Sequence, residues 1–177
     1  MKVIGINGSA RKDGNTSLLI KAVFAELEAE GIETDLVQLH GKALEPCKAC
    51  FGCGGKRQCV VKTDYFNECF AKMVEADGMV LGSPVYSADV TAGMKAFLER
   101  AGVVVATNPG MLRHKVGASV AAVRRGGGLS SSVFFLRFHP LFSMAGAIAV
   151  SALGIFCVII AAAWEWRAGS VRKGKTG

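Results

Sequence analysis

The stretch that decides the fold is Lys2-Val-Ile-Gly-Ile-Asn-Gly-Ser-Ala-Arg-Lys-Asp-Gly-Asn-Thr-Ser17. It opens with an apolar run that ends at Asn7, which is typical of a parallel strand buried on both faces. A polar loop with two glycines follows, and residues 16–30 then carry apolar side chains at helical spacing until Gly31. A strand, a loop and a helix in this order predict the first unit of a parallel α/β sheet.

The next segments repeat this alternation. The pattern predicts strands over residues 33–39, 78–82 and 115–123, and helices over residues 64–75 and 91–101. Because strands and helices alternate, the chain is predicted to be an α/β protein with a parallel sheet. Ligands of such sheets bind beyond the carboxyl ends of the strands, so the loops after the strands are the candidate sites.

Length and composition limit the function classes. The chain has 177 residues, enough for one domain with a real core, and its formal net charge is +7. The basic residues are spread along the sequence and are not interleaved with aromatic residues, so nucleic acid is excluded as a partner. The N-terminus does not resemble a secretory signal, which predicts a cytoplasmic protein with reduced thiols.

Four cysteines, Cys47, Cys50, Cys53 and Cys59, lie within thirteen residues. Thiols at this spacing in a glycine-containing loop can point into one small volume, which suits an iron–sulfur cluster that needs one thiolate per iron corner. Structural zinc is the second interpretation, although zinc sites more often use two C-x-x-C pairs separated by a dozen or more residues. A disulfide or purely structural role is the third.

The loop after the first strand has the composition of an anion site. Glycine and hydroxyl residues allow backbone N–H groups to approach a phosphate, and the following helix N-terminus adds partial positive charge. Arg11 adds a forked donor. The loop matches neither the Walker pattern nor the dinucleotide pattern, and an ordinary helix cap explains Asn15, Thr16 and Ser17 equally well, but not Ser9 and Arg11.

Two further loops lie at the same predicted edge. Pro84 stiffens the loop after the third strand, and Tyr86 offers a flat face on which a planar heterocycle can rest. After the fourth strand, Arg124 supplies donors and the glycines that follow it permit close backbone approach to a ligand. In the alternative interpretation, the first of these loops only covers the end of the third strand, and the second is a flexible surface turn.

These motifs carry a resemblance. Ser9–Ser17, the cysteine loop 47–59, and Gly82-Ser-Pro-Val-Tyr86 followed by Met94-Lys-Ala-Phe-Leu98 resemble the iron–sulfur flavoproteins. This family belongs to the NAD(P)H-dependent FMN reductase-like proteins, which have a flavodoxin-like, three-layer fold with a parallel sheet. The resemblance covers residues 1–128, which we expect to form the FMN-binding domain.

The resemblance implies cofactors and their ligands. It implies that FMN contacts Ser9, Arg11, Asn15, Thr16, Ser17, Pro84, Val85, Tyr86, Arg124, Gly126 and Gly127, and that a [4Fe–4S] cluster is held by Cys47, Cys50, Cys53 and Cys59. It also implies a homodimer or homotetramer in which the cluster of one subunit faces the flavin of another. The chemistry is then carried by the cofactors and not by catalytic side chains.

The implied function is electron transfer by a flavin-dependent oxidoreductase. It couples two-electron carriers, such as NAD(P)H or a quinone, to a one-electron carrier such as ferredoxin. One alternative is an NAD(P)H-dependent FMN or quinone reductase without a cluster. The others are a non-enzymatic, metal-stabilised binding module and a remnant with a defective C-terminus.

Residues 129–177 form an atypical, very apolar tail. The segment 141–164 is 24 residues long without a charged side chain, which is enough to span a bilayer. A membrane anchor that leaves the rest of the chain facing the cytoplasm is one hypothesis. The others are that the tail forms the last buried strand and helix of the sheet, or that the reading frame was lost near residues 128–132.

Overall fold

The computed structural model describes residues 1–124, 126–128, 130–131, 147–152 and 157–160. Strands and helices alternate from the N-terminus to residue 122, as the sequence predicts. In chain order the elements are β1 Lys2–Asn7, α1 Asn15–Ala29, β2 Glu33–Gln38, α2 Phe66–Glu75, β3 Gly78–Pro84, α3 Ala92–Ala106, β4 Val116–Ala122, β5 Ala147–Ala152 and β6 Cys157–Ile160.

The described strands form a single sheet in the order β2-β1-β3-β4-β5-β6. Neighbouring strands from β2 to β5 pair in parallel, and β6 pairs with β5 in the antiparallel direction. The predicted parallel α/β sheet is therefore confirmed. Because β1, β3 and β4 are parallel, their carboxyl ends meet at one edge, and the loops predicted to bind ligands lie together there.

Helices cover both faces of the sheet. On one face, Ile20 and Phe24 of α1 pack with Val3, Val80 and Val120 of the strands. On the other face, apolar residues of α2 and α3 pack against β1 and β3; they include Phe66, Phe70, Met73, Met94, Phe97, Leu98, Ile4, Ile6 and Leu81. The predicted three-layer arrangement is thus present in the described residues.

Two glycines allow α1 to lie unusually close to the sheet. A Cβ on Gly5 of β1 would lie 2.7 Å from side-chain atoms of both Ile20 and Phe24. A Cβ on Gly82 of β3 would lie 2.6 Å from Cδ1 of Ile20 and 3.0 Å from Cγ2 of Thr16. The close approach at Gly82 brings the first turn of α1 to the carboxyl end of β3.

Helix α3 is longer than the sequence pattern predicts. It continues past Ala101 to Ala106, through Gly102 and a run of valines. Glycine and β-branched residues disfavour helices, but Val104 and Val105 are buried in the core, and tertiary packing outweighs their propensity. The two residues that follow this added turn, Thr107 and Asn108, contact the cysteine loop.

The C-terminal strands fall within the apolar segment 141–164. Strand β5 continues the sheet beside β4, with Gly117 opposite Ala147 and Ala122 opposite Ala152. A strand therefore lies in the segment that the second hypothesis assigns to the last strand of the sheet. Among the described residues, no helix is long and apolar enough to cross a bilayer. The other residues of 141–164 lie outside the described part of the chain, and the frame-loss hypothesis stays a prediction.

Candidate functional site

An open cleft of about 1150 Å³ lies at the carboxyl ends of β1, β3 and β4. It collects eight of the eleven residues predicted to contact FMN: Ser9, Arg11, Asn15, Thr16, Pro84, Val85, Tyr86 and Arg124. Asp13, Gly14, Leu18, Leu19, Ala122 and Val123 complete its lining. Three loops that are distant in sequence therefore form one site, as the sequence analysis expects.

A partly buried network of side-chain amides shapes the first loop. The Asn7 side-chain oxygen accepts a hydrogen bond from the Ser9 backbone N–H at 2.9 Å, and its nitrogen donates to Gln38 Oε1 at 2.8 Å. Gln38 Nε2 in turn donates to the Ser9 carbonyl at 2.5 Å. Asn7 and Gln38 hence fix the backbone of the loop from β1 and β2. Sequence reasoning missed both, although a polar residue that ends an apolar strand is a usable signal.

The first turn of α1 has hydrogen-bond donors that are available to an anion. Its N-cap residue, Gly14, makes no side-chain hydrogen bond to the turn, and the turn contains no acidic residue. Thr16 and Ser17 are buried, and neither hydroxyl has a hydrogen-bond partner. Buried hydroxyls are normally satisfied, so the Thr16 hydroxyl, which lines the cleft, fits a phosphate together with the N-terminal N–H groups. Ser17 is not among the residues that line the cleft.

The second loop is a tight, strained turn. Tyr86 and Asp89 exchange backbone hydrogen bonds of 2.9 and 3.1 Å, and the two residues between them, Ser87 and Ala88, have φ angles of 48° and 64°. Positive φ angles at two successive non-glycine residues cost energy and persist only where neighbours enforce them. The Tyr86 side chain remains 48% exposed, so its ring is available to a ligand.

Gly127 and Ser130 support this turn from behind. Gly127 has a φ angle of 88°, and a Cβ there would lie 2.6 Å from Cα of Ala88. The Ser130 hydroxyl donates to the carbonyls of Ala88 and Gly127. Gly127 therefore packs against the turn and does not line the cleft, and neither does Gly126. The predicted contact of Gly126 and Gly127 with flavin stays a prediction, and in the structure Gly127 supports the loop that carries Tyr86.

The four loop cysteines line a second, small cavity. Cys53 is buried, Cys47 and Cys59 are half-buried, and Cys50 is exposed; all four carry free thiols, as does Cys69. A common cavity lined by four thiols is a suitable donor set for an iron–sulfur cluster. In the part of the chain that the structure describes, however, no three His, Cys, Asp or Glu side chains come close enough together to hold a metal ion.

Helix α3 holds the first part of the cysteine loop in place. The Cys47 backbone N–H donates to Glu99 Oε2 at 3.1 Å, and the Cys53 sulfur lies 3.4 Å from the Thr107 hydroxyl. Asn108 accepts from the Arg57 N–H at 3.0 Å and donates to the Cys53 carbonyl at 3.0 Å. Glu99 lies within α3, whereas Thr107 and Asn108 follow its last residue and are placed by the turn of the helix that the sequence pattern did not predict.

Helix α2 holds the last cysteine. The Asn67 side-chain oxygen accepts from the Cys59 N–H at 2.9 Å, and its nitrogen donates to the carbonyls of Cys59 at 3.0 Å and Val61 at 2.9 Å. Asp64, predicted to cap this helix, accepts from the Phe66 N–H at 3.3 Å. The residue at the N-cap is Tyr65, and the second carboxylate oxygen of Asp64 pairs with Arg100.

Arg100 is a buried cation beside Cys59. Its guanidinium donates to the Cys59 sulfur at 3.1 Å and to Asp64, and it stacks 4.2 Å above the Phe66 ring. Burial alone lowers the pKa of Arg100, but hydrogen bonds to Cys59 and Asp64 outweigh this effect and raise the pKa above its ordinary value. Sequence reasoning missed Arg100, although an arginine on the apolar stripe between Phe97 and Val104 is a recognisable signal.

The fifth described cysteine has a different environment. Cys69 is fully buried in the core beside Phe66 and Phe70, and burial raises the pKa of its thiol to about 12. Such a thiol is chemically inert and behaves as a small apolar side chain. Cys69 also lies outside the cavity that the four loop cysteines line.

The chain is similar in sequence to known proteins. The family model for NADPH-dependent FMN reductases matches residues 1–153, which extends beyond position 128. An iron–sulfur flavoprotein of Methanocaldococcus jannaschii is 39% identical over 151 residues, which are 85% of this chain and 76% of that protein.

Two solved structures show the same fold. RosB with a bound 8-demethyl-8-formylriboflavin-5'-phosphate intermediate superposes with a TM-score of 0.70 at 21% identity, over 87% of this chain and 65% of RosB. A flavodoxin from the domain Archaea superposes with a TM-score of 0.56 at 17% identity, over 85% of this chain and 83% of the flavodoxin. The chain thus belongs to the iron–sulfur flavoproteins of the NADPH-dependent FMN reductase family and is a flavin-dependent oxidoreductase with a flavodoxin-like fold.

Proposed function

We propose that this protein binds FMN in the cleft and a [4Fe–4S] cluster on Cys47, Cys50, Cys53 and Cys59, and transfers electrons between two-electron and one-electron carriers. The observation that carries the proposal is the common cavity of the four thiols, held in place by contacts from α2 and α3. When bound, the flavin supplies one- and two-electron chemistry and the cluster supplies one-electron chemistry.

The side chains around the cleft bind and orient FMN. Thr16 and the first N–H groups of α1 are the donors at the cleft that fit the phosphate, and Arg11 adds a charge-assisted contact. Pro84, Val85 and Tyr86 form the surface that fits the ring system, and Arg124 lies at the same rim. Because Gly127 and Ser130 brace the turn at Tyr86, this surface is pre-organised for a planar ligand.

The partners follow from the same chemistry. We expect NAD(P)H or a quinone as the two-electron partner and ferredoxin or a similar protein as the one-electron partner. Large apolar side chains are exposed at both sites, with Phe51 of the cysteine loop at 64% exposure and Tyr86 at 48%. Such residues favour a homodimer or homotetramer that covers them. Four thiols in one loop require a reducing compartment, so we expect the chain to work in the cytoplasm.

A second candidate is an NAD(P)H-dependent FMN or quinone reductase without a cluster. It is favoured by the observation that no three metal-ligand side chains converge among the described residues. In this case the cysteine loop binds zinc or nothing, and hydride transfer from NAD(P)H proceeds without iron.

Replacement of Cys50 by Ser separates the two candidates. Cys50 is exposed and lies away from the cleft, so Cys50→Ser is expected to lose iron and acid-labile sulfide while it keeps FMN. Cys69→Ala is the matched control, because Cys69 is buried in the core, and it should keep both cofactors. If Cys50→Ser retains the full iron and sulfide content, the ligand assignment is wrong.

A further inference from the structure

Arg100 and Asp64 form a salt bridge that is almost completely removed from solvent. Each side chain is 2% exposed, and the guanidinium donates directly to the carboxylate. The apolar stripe of α3 surrounds Arg100, with Phe97 and Val104 on either side. Burial of two charges is costly and often adds little to stability compared with apolar residues of the same size. The position of this pair therefore points to a function beyond packing.

The pair joins both ends of the cysteine loop. Arg100 donates to the carbonyl of Glu45 at 3.2 Å and to the carbonyl of Val61 at 3.4 Å, which lie two residues before Cys47 and two residues after Cys59. Asp64 accepts from the Glu45 backbone N–H at 2.9 Å. The two charged side chains thereby fix the entrance and the exit of the loop.

One N–H of Arg100 is directed at a sulfur. Arg100 Nη2 lies 3.1 Å from the Cys59 sulfur, inside the cavity that the four cysteines line. A hydrogen bond from a cation to sulfur favours the more negative state of that sulfur, and its effect is large where solvent is excluded. Hydrogen bonds to sulfur and net charge are two of the factors that set the reduction potential of an iron–sulfur cluster.

We propose that Arg100 and Asp64 are positioning residues that set the reduction potential at the cysteine site: Arg100 raises it through its contact with Cys59, and Asp64 limits the increase. This inference rests on the proposed function, because it assumes a cluster on the four cysteines. It predicts opposite effects for the two partners of one salt bridge. Removal of Arg100 leaves the buried negative charge of Asp64, whereas removal of the Asp64 charge leaves Arg100 uncompensated.

The test compares Arg100→Gln, Arg100→Lys and Asp64→Asn with the unchanged full-length protein. Each protein is reconstituted anaerobically, its iron, sulfide and FMN are measured, and the potential is determined by redox titration monitored by electron paramagnetic resonance. Lys56→Gln is the matched control, because it removes one positive charge from the exposed surface of the same loop. FMN content reports correct folding, since the cleft lies outside the cysteine cavity.

We expect Arg100→Gln to lower the equilibrium constant for one-electron reduction at least tenfold, a change of about 59 mV to more negative potential. Asp64→Asn is expected to shift the constant in the opposite direction. Arg100→Lys keeps the charge and should lie closer to the unchanged protein. The exposed charge of Lys56 is screened by water, so Lys56→Gln should change the constant by less than about twofold.

Two results would overturn the inference while the proposed function stands. One is a potential of Arg100→Gln that matches that of Lys56→Gln. The other is loss of the cluster from both Arg100→Gln and Asp64→Asn with FMN retained, which would show that the pair only holds the loop. A different result, no iron or sulfide in the unchanged protein after reconstitution, would overturn the proposed function and this inference with it.

Discussion

Replacement of Thr16 by Val should raise the thermal stability of the FMN-free protein and weaken its binding of FMN. Thr16 lines the cleft and is 1% exposed, and its hydroxyl has no hydrogen-bond partner. Valine has the same shape without the hydroxyl, so the change removes one polar group with little effect on packing. The opposite signs follow because the group is unsatisfied in the empty protein and becomes a donor when a phosphate is bound.

The magnitudes follow from these contacts. A buried hydroxyl without a partner costs about 1–3 kcal/mol, and the lower limit corresponds to an increase in Tm of about 2–4 °C for a chain of this size. A hydrogen bond to a charged group contributes about 1.5–3 kcal/mol. Since about 1.4 kcal/mol corresponds to a tenfold change in affinity, the Kd for FMN should rise by about 10- to 150-fold.

The assay is thermal unfolding of the FMN-free protein together with titration of FMN by flavin fluorescence. Ser131→Ala is the matched control, because the Ser131 hydroxyl is also buried without a partner but lies outside the cleft. The control should stabilise the protein and leave the Kd unchanged. An FMN affinity of Thr16→Val within twofold of that of the control would refute the assignment of Thr16 to the phosphate site.

Three other predictions concern packing, thiol reactivity and the cysteine loop. Gly82→Ala places a Cβ 2.6 Å from Cδ1 of Ile20, so it should lower the free energy of unfolding by about 1–3 kcal/mol in chemical denaturation. An unchanged free energy of unfolding would contradict the close packing of α1 on β3. With a pKa of about 12, only about one in ten thousand Cys69 thiols is ionised at pH 8. After treatment of the native protein with iodoacetamide, mass spectrometry should therefore find Cys69 unmodified and the exposed Cys50 modified. Asn67→Ala removes three hydrogen bonds around Cys59, so it should speed the loss of iron from the reconstituted protein without loss of FMN. A rate of iron release equal to that of the unchanged protein would show that Asn67 does not support the cysteine loop.

Local patterns were sufficient for the elements and for most of the cleft. The apolar strand before Asn7 and the polar loop after it identify the first unit, and parallel topology then dictates that the loops after β1, β3 and β4 meet. Ser9, Arg11 and Tyr86 were therefore predictable as neighbours although 75 or more residues separate the first two from Tyr86. The family match to residue 153 agrees with a sheet that continues to β5.

Contacts between distant segments were not predictable in the same way. Arg100 touches Cys59 across 41 positions, and Gln38 reaches Ser9 across 29 positions. These contacts depend on the distances between packed helices and strands, which periodicity does not encode. The sequence of the Gly127 turn allowed contact with a ligand or with another loop, and only the fold shows that it packs behind Ala88.

The most direct test is an anaerobic visible absorption spectrum of the purified protein, combined with analysis of iron, acid-labile sulfide, zinc and flavin on the same sample. The proposed function predicts FMN together with about four iron and four sulfide per chain, the composition of a [4Fe–4S] cluster on four cysteines. Flavin without iron would contradict the cluster and identify a simple flavin reductase. Neither cofactor after reconstitution would show that the chain is a remnant or a non-enzymatic binding module.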